Sequence, residues 1–115
     1  MQQQQVGGKL TGKPARRQQV YTLLIEVGRK AGDGLPEGAT GAAILAYAAG
    51  VDEAEAVRET VAVLKSAGLA PLDVTGYGTA EERGDIAPEE AALMDRALSE
   101  RSVIVAEVTA RSGAD

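Results

Sequence analysis

Residues 51–77, VDEAEAVRETVAVLKSAGLAPLDVTGY, carry a helix start, an apolar stripe, a helix stop and a strand in direct succession, which fixes a helix-to-strand unit in mid-chain. Asp52 is placed to accept hydrogen bonds from the first free backbone N–H groups, and Glu55 three residues on can reach back, a reciprocal cap. Ala54, Val57, Val61 and Leu64 recur at three- and four-residue steps as one stripe, while Glu55, Arg58, Glu59 and Lys65 fall away from it. Acids crowd the first turn and Lys65 sits in the last, as the macrodipole favours. Gly68 can take the left-handed conformation that ends a helix, and Leu69 can fold back on Leu64.

The segments on either side of this unit read mainly as strands. Residues 19–27, QVYTLLIEV, set Tyr21, Leu23, Ile25 and Val27 on one face against Val20, Thr22, Leu24 and Glu26, which predicts a strand, although Val20, Leu23, Leu24 and Val27 also satisfy a helical count. Residues 42–49, AAILAYAA, are helical by propensity. Extended, however, they pair with 19–27 across the glycine-rich segment 28–41 and explain the abrupt restart at Asp52. A third strand follows over 70–78, entered at Pro71 and closed by Gly76-Tyr77-Gly78. Residues 79–85 read as a charged loop. Pro88 with Glu89 and Glu90 opens a second helix with Ala91, Met94 and Leu98 as its buried stripe. Residues 102–109 are β-prone. The order predicts an α+β two-layer sandwich, a four-stranded sheet with two crossover helices in β-β-α-β-α-β order. This domain covers 19–110, between a flexible basic N-terminal tail at 1–18 and a frayed C-terminus at 111–115. One sheet face is left bare of helices, and an apolar face on a chain this small invites a second copy or another protein.

Composition narrows the chemistry. The 115 residues include no Cys and no His, which removes disulfides, thiolate metal sites, the commonest zinc ligand and the commonest general base. With no Phe or Trp, the core must be Leu, Ile, Val and Ala, and three Tyr are the only aromatics. No apolar run approaches the roughly 18 residues of a membrane span, and the Gln-rich start lacks a signal-peptide core. The expectation is a soluble cytoplasmic protein with no cofactor and no metal site. Net charge is −5, yet Lys9, Lys13, Arg16 and Arg17 stand in a stretch without an acid. An acidic body repels nucleic acid, so contact with phosphate would come only through that tail. Gly7, Gly12 and Lys13 mimic a phosphate loop, but Pro14 stands where a Ser or Thr must bind magnesium.

Leu45-Ala46 four residues before Gly50-Val51, followed by Val57, Val61, Leu64 and Gly68-Leu69, resembles a winged helix-turn-helix over residues 40–69. That resemblance implies a DNA-binding regulator in which 19–30 and 42–49 are helices, 70–78 is the first wing strand and the basic tail touches the backbone. It stands second because Asp52, Glu53 and Glu55 would open the recognition helix toward phosphates.

Candidate partner- or ligand-binding residues are Tyr77, held between two glycines, with Asp73, Glu82 and Arg83 near it in sequence. Tyr47 reads as packing, and the pairs Glu81-Glu82 and Glu89-Glu90 as solvated surface. Asp33 and Glu37 lack the ordered spacing of a calcium loop. The functional expectation is a small non-enzymatic interaction module that forms a homo-oligomer or docks on a larger protein.

Overall fold

The computed structural model describes residues 17–112. Strands β1 (Gln19–Val27) and β2 (Ala39–Gly50) form an antiparallel hairpin in which Val27 faces Ala42, Ile25 faces Ile44 and Gln19 faces Gly50. Strand β3 (Pro71–Thr79) pairs with β1 and strand β4 (Val103–Ser112) with β2, both antiparallel, so the sheet order is β3-β1-β2-β4. Helix α1 (Glu53–Ser66) joins β2 to β3, while the single turn α2 (Ala80–Arg83) and helix α3 (Pro88–Glu100) join β3 to β4. The α+β class, the four-stranded sheet and the expected element order are all present, with α2 added inside the 79–85 loop. The winged helix-turn-helix is not formed, because 19–27 and 42–49, two of its helices, are paired strands.

The Ala-rich β2 goes extended against its propensity because it is a central strand hydrogen-bonded on both sides and covered on both faces. Ala42, Ile44, Ala46 and Ala48 share a core with Tyr21, Leu23, Ile25 and Val27 of β1 and with Ala56 and Leu64 of α1. Tyr47, on the opposite face, joins Met94 and Ala97 of α3, with Leu45, Val20 and Ile104 against them. The two crossover helices therefore lie on opposite faces, where the sequence reading places them in one layer. The reason is that both faces of the hairpin are apolar at this end, so each offers a helix a surface to cover.

Helix α1 begins as expected: the Asp52 carboxylate accepts from Glu55 N at 2.8 Å, and Glu55 reaches back to accept from Val51 N at 2.8 Å. It ends with Gly68 at φ 90° and Leu69 N donating to Leu64 O at 3.0 Å. Its buried line is Ala56, Thr60 and Leu64, rotated from the expected stripe, and Ala54 is exposed. Thr60 tolerates full burial because its hydroxyl donates to Ala56 O at 2.8 Å. Small side chains along this line let the helix sit close to the sheet: a Cβ added at Gly50 would lie 2.8 Å from Ala56 N.

The loop between β1 and β2 is knit around Asp33, whose carboxylate accepts from Arg29 Nε at 3.0 Å, Lys30 N at 2.8 Å and Leu35 N at 3.0 Å. These donors hold its carboxyl down at about 2, the Arg29 hydrogen bond being the largest cause. Strand β4 runs past residue 110 to Ser112, and Arg111 pairs with Glu26 at 2.8 Å. No helix among the described residues is long and apolar enough to cross a membrane.

Leu64 sits at 2% exposure over the middle of the sheet, whereas Val63 beside it is 43% exposed. Leu64→Ala will cost about 2–5 kcal/mol in a urea melt through lost burial and the cavity it leaves, and Val63→Ala will stay within about 0.5 kcal/mol.

Candidate functional site

The polar constellation that joins the most elements among the described residues lies on the α3 face, where the sheet meets both downstream helices. Tyr47 rises from β2, Thr22 from β1, Arg83 closes α2, and Glu90 occupies the first turn of α3 after Pro88. Pro88 fixes the start of α3, and Glu90 then reaches back to accept from Ala87 N at 3.3 Å. Its carboxylate also accepts from the Tyr47 hydroxyl at 2.6 Å and from Arg83 at 3.0 and 3.4 Å, while Arg83 Nη1 donates to Thr22 Oγ1 at 3.1 Å. One carboxylate thus ties two strands to two helices. Tyr47 is 1% exposed, so its hydroxyl needed a partner and Glu90 supplies it.

These contacts move each titration further from neutral pH. The Tyr47 hydrogen bond, then Arg83 and Ala87 N, hold the Glu90 carboxyl at about 2. Burial first, then the Glu90 carboxylate, push the Tyr47 hydroxyl up to about 12. Arg83 is raised further by its bond to Glu90. At neutral pH the cluster holds an ionised acid, a neutral phenol and a guanidinium, none poised to give or take a proton. Its chemistry is that of a brace.

Beside the brace is an open cleft of about 310 Å³ lined by Thr22, Leu24, Leu45, Tyr77, Arg83 and Glu90. Of the residues singled out from sequence, Tyr77 and Arg83 meet here. Tyr77 is the extra residue of a bulge, since Thr22 faces Gly78 and Leu23 faces Gly76. Asp73 lies elsewhere, exposed on β3 opposite Glu26. Glu82 is spent on the cap of α2, accepting from Thr79 N at 2.8 Å. Glu90, Tyr47 and Thr22 were missed; the signal for Glu90 was its place three residues after Ala87, the position from which an acid reaches back to a helix start. Of the basic tail, Arg17 is exposed at the start of the described residues, and Lys9, Lys13 and Arg16 lie outside them.

The two sheet edges differ. β3 begins with Pro71 and is broken by two register shifts against β1, features that blunt an edge. β4 also has two register shifts, one at Ala106 and one beyond Arg111, but it has no proline and keeps an unbroken ladder with β2 from Glu107 to Arg111. Its Val105 and Val108 are 42% and 51% exposed.

A family model described as a domain of unknown function (DUF8846) matches residues 20–112, from β1 to the last residue of β4. No curated protein and no solved structure matches the chain.

Because the Glu90 carboxyl falls from its ordinary 4.5 to about 2 in the folded chain, its contribution is complete above pH 4.5 and is lost as pH drops toward 2. Glu90→Gln will therefore lower the melting temperature at neutral pH and flatten the acid limb between those values, leaving the share of Asp33. Melting curves across acid pH check this, and an acid limb as steep as that of the parent chain would contradict it.

Proposed function

The chain belongs to the DUF8846 family, and we propose that it is a non-enzymatic interaction module that docks on protein through the open edge of β4. The observation that carries this reading is the contrast between the edges: each strand shifts register twice, but β4 is free of proline and holds an unbroken ladder over 107–111 beside exposed valines, whereas β3 is entered through proline. An edge strand presents a row of backbone donors and acceptors that an added strand satisfies, and exposed alternate side chains supply its specificity. The state of the Tyr47–Glu90–Arg83 cluster supports the non-enzymatic half, since its shifted groups are locked into the charge states they already hold at neutral pH. The cleft beneath Tyr77 lies toward the opposite edge, on β1, β2 and β3, and serves this reading only as a further contact surface. A cytoplasmic setting belongs to the same proposal, on the ground that a chain without cysteine draws no stability from an oxidising compartment.

Val108→Lys places a charge on the proposed docking strand at a position where the fold has little to lose. Its unfolding free energy in a urea melt will stay within about 0.5 kcal/mol of the parent chain, while proteins that co-purify with the parent chain will drop at least tenfold in a quantitative pull-down. Retention of the same proteins by the folded variant would sink the reading.

A further inference from the structure

We infer that the partner on β4 is a second copy of this chain, the two β4 strands pairing antiparallel about a two-fold axis through Thr109. This rests on β4 being the docking edge and adds the occupant and the register.

The argument is charge complementarity along one regular stretch. Residues 107–111 read Glu-Val-Thr-Ala-Arg, and they occupy the unbroken part of the ladder, with Glu107 facing Leu45, Thr109 facing Ala43 and Arg111 facing Gly41. In an antiparallel self-pair centred on Thr109, Glu107 meets Arg111 of the mate, Val108 meets Ala110, and Thr109 meets itself. Each pair falls on one face because side chains alternate with period two. Symmetry makes the Glu–Arg pair twice. Centring the axis on Glu107 or on Arg111 sets like charges directly opposite, which is destabilising, and centring it on Val108 or Ala110 forfeits both ion pairs.

In the free chain Arg111 is held by Glu26 of β1, two strands in from the open edge. Glu26 accepts from Arg111 Nε at 3.0 Å and Nη2 at 2.8 Å. That keeps the guanidinium on the face where Glu107 and Thr109 lie, and in the self-pair it turns outward, exchanging Glu26 for the mate's Glu107. The opposite face contributes apolar surface. Val108 is covered by the mate's Ala110, and the right-handed sense that β-α-β crossovers take turns the Val63 flank of α1 toward β4, so Val63, Val105 and Val108, all more than two-fifths exposed, line the seam on both copies. The result is one sheet running β3-β1-β2-β4 and back through the mate, with its exposed ends at the blunted β3 strands.

Two measurements on the full chain test the inference. In sedimentation equilibrium, the parent chain will dimerise, Glu107→Arg and Arg111→Glu will each weaken the dimer at least tenfold, and an equimolar mixture of the two will recover it, because each charge then meets its opposite. Since Arg111→Glu also costs the Glu26 pair, the second measurement avoids it. The chain has no cysteine, so Thr109→Cys introduces a single thiol that meets its own copy within disulfide reach. Mild oxidation will convert it to a covalent dimer. Glu107→Cys will not convert, its copy lying about 13 Å away along the strand. A parent chain that stays monomeric at all concentrations overturns the inference, and loss of captured proteins by Val108→Lys would then show the docking edge to serve a different protein. A dimer that ignores both charge reversals and leaves Thr109→Cys unlinked overturns the β4 seam while leaving self-association through another surface.

Discussion

The fold depends on how closely two helices can approach the strand between them. β2 carries alanines at 42, 46, 48 and 49, and its buried positions alternate between α1 on one face and α3 on the other. Against it α1 presents Ala56 and Thr60, both fully buried. Small groups on both sides bring the backbones together, and larger ones, Leu23, Ile25, Ile44 and Leu64, fill the spaces to either side. A core without Phe or Trp can close only in this way, since aliphatic side chains of limited size must meet with few gaps to reach native packing density. At Gly50 the approach is so close that a methyl group would collide with the first turn of α1.

On the other face the same strand brings in Tyr47, the one large ring buried against α3. A phenol carries a hydroxyl that must be satisfied when water is excluded, and that requirement shapes everything around it. Glu90 accepts from the hydroxyl, Arg83 neutralises Glu90, and Thr22 accepts from Arg83. A network satisfied at each member rigidifies, whereas removal of one member leaves a charge facing apolar groups. The cluster thereby fixes the position of α2 and α3 over the sheet, and the same contacts that stabilise it deprive it of reactivity. Strength of bonding and chemical readiness pull in opposite directions here.

How much of this was legible follows from the range of each interaction. The caps of α1 were readable because Asp52, Glu55, Gly68 and Leu69 act within a few residues of one another. The strand character of 19–27 was readable from alternation, and that of 42–49 only through pairing with it, since alanine by itself favours a helix. The rotation of the α1 stripe onto Thr60 was not readable: a threonine counts as polar until its hydroxyl is seen to bond the preceding turn. The division of the helices between two faces was hidden for a related reason, because Leu24, Leu45 and Tyr47 form an apolar second face only when β1 and β2 are in register. Tyr77 and Arg83 were singled out by neighbourhood and do share a cleft, but Asp73 points elsewhere along the same strand and Glu82 is consumed in a local cap. Glu90 was passed over because it is 43 residues from Tyr47 in sequence, and no local pattern links them.

The topology leaves two edges, and the sequence treats them differently. Both strands of the hairpin are interior, so β3 and β4 must be the borders of the sheet. At β3 the chain has proline, glycine and bulges, each of which disrupts the even spacing that an added strand requires. β4 also shifts register twice, but its residues 107–111 keep that spacing and carry opposite charges four residues apart around a threonine. An edge meant only to stay solvated would be better served by like charges, which repel any approaching strand including a copy of itself, or by a lysine pointing inward. Opposite charges placed symmetrically about one residue do the reverse: they repel a copy that arrives out of register and attract one that arrives in it. Under the self-pairing proposed above, the charges at 107–111 select one register among the several that the strand backbone alone would accept.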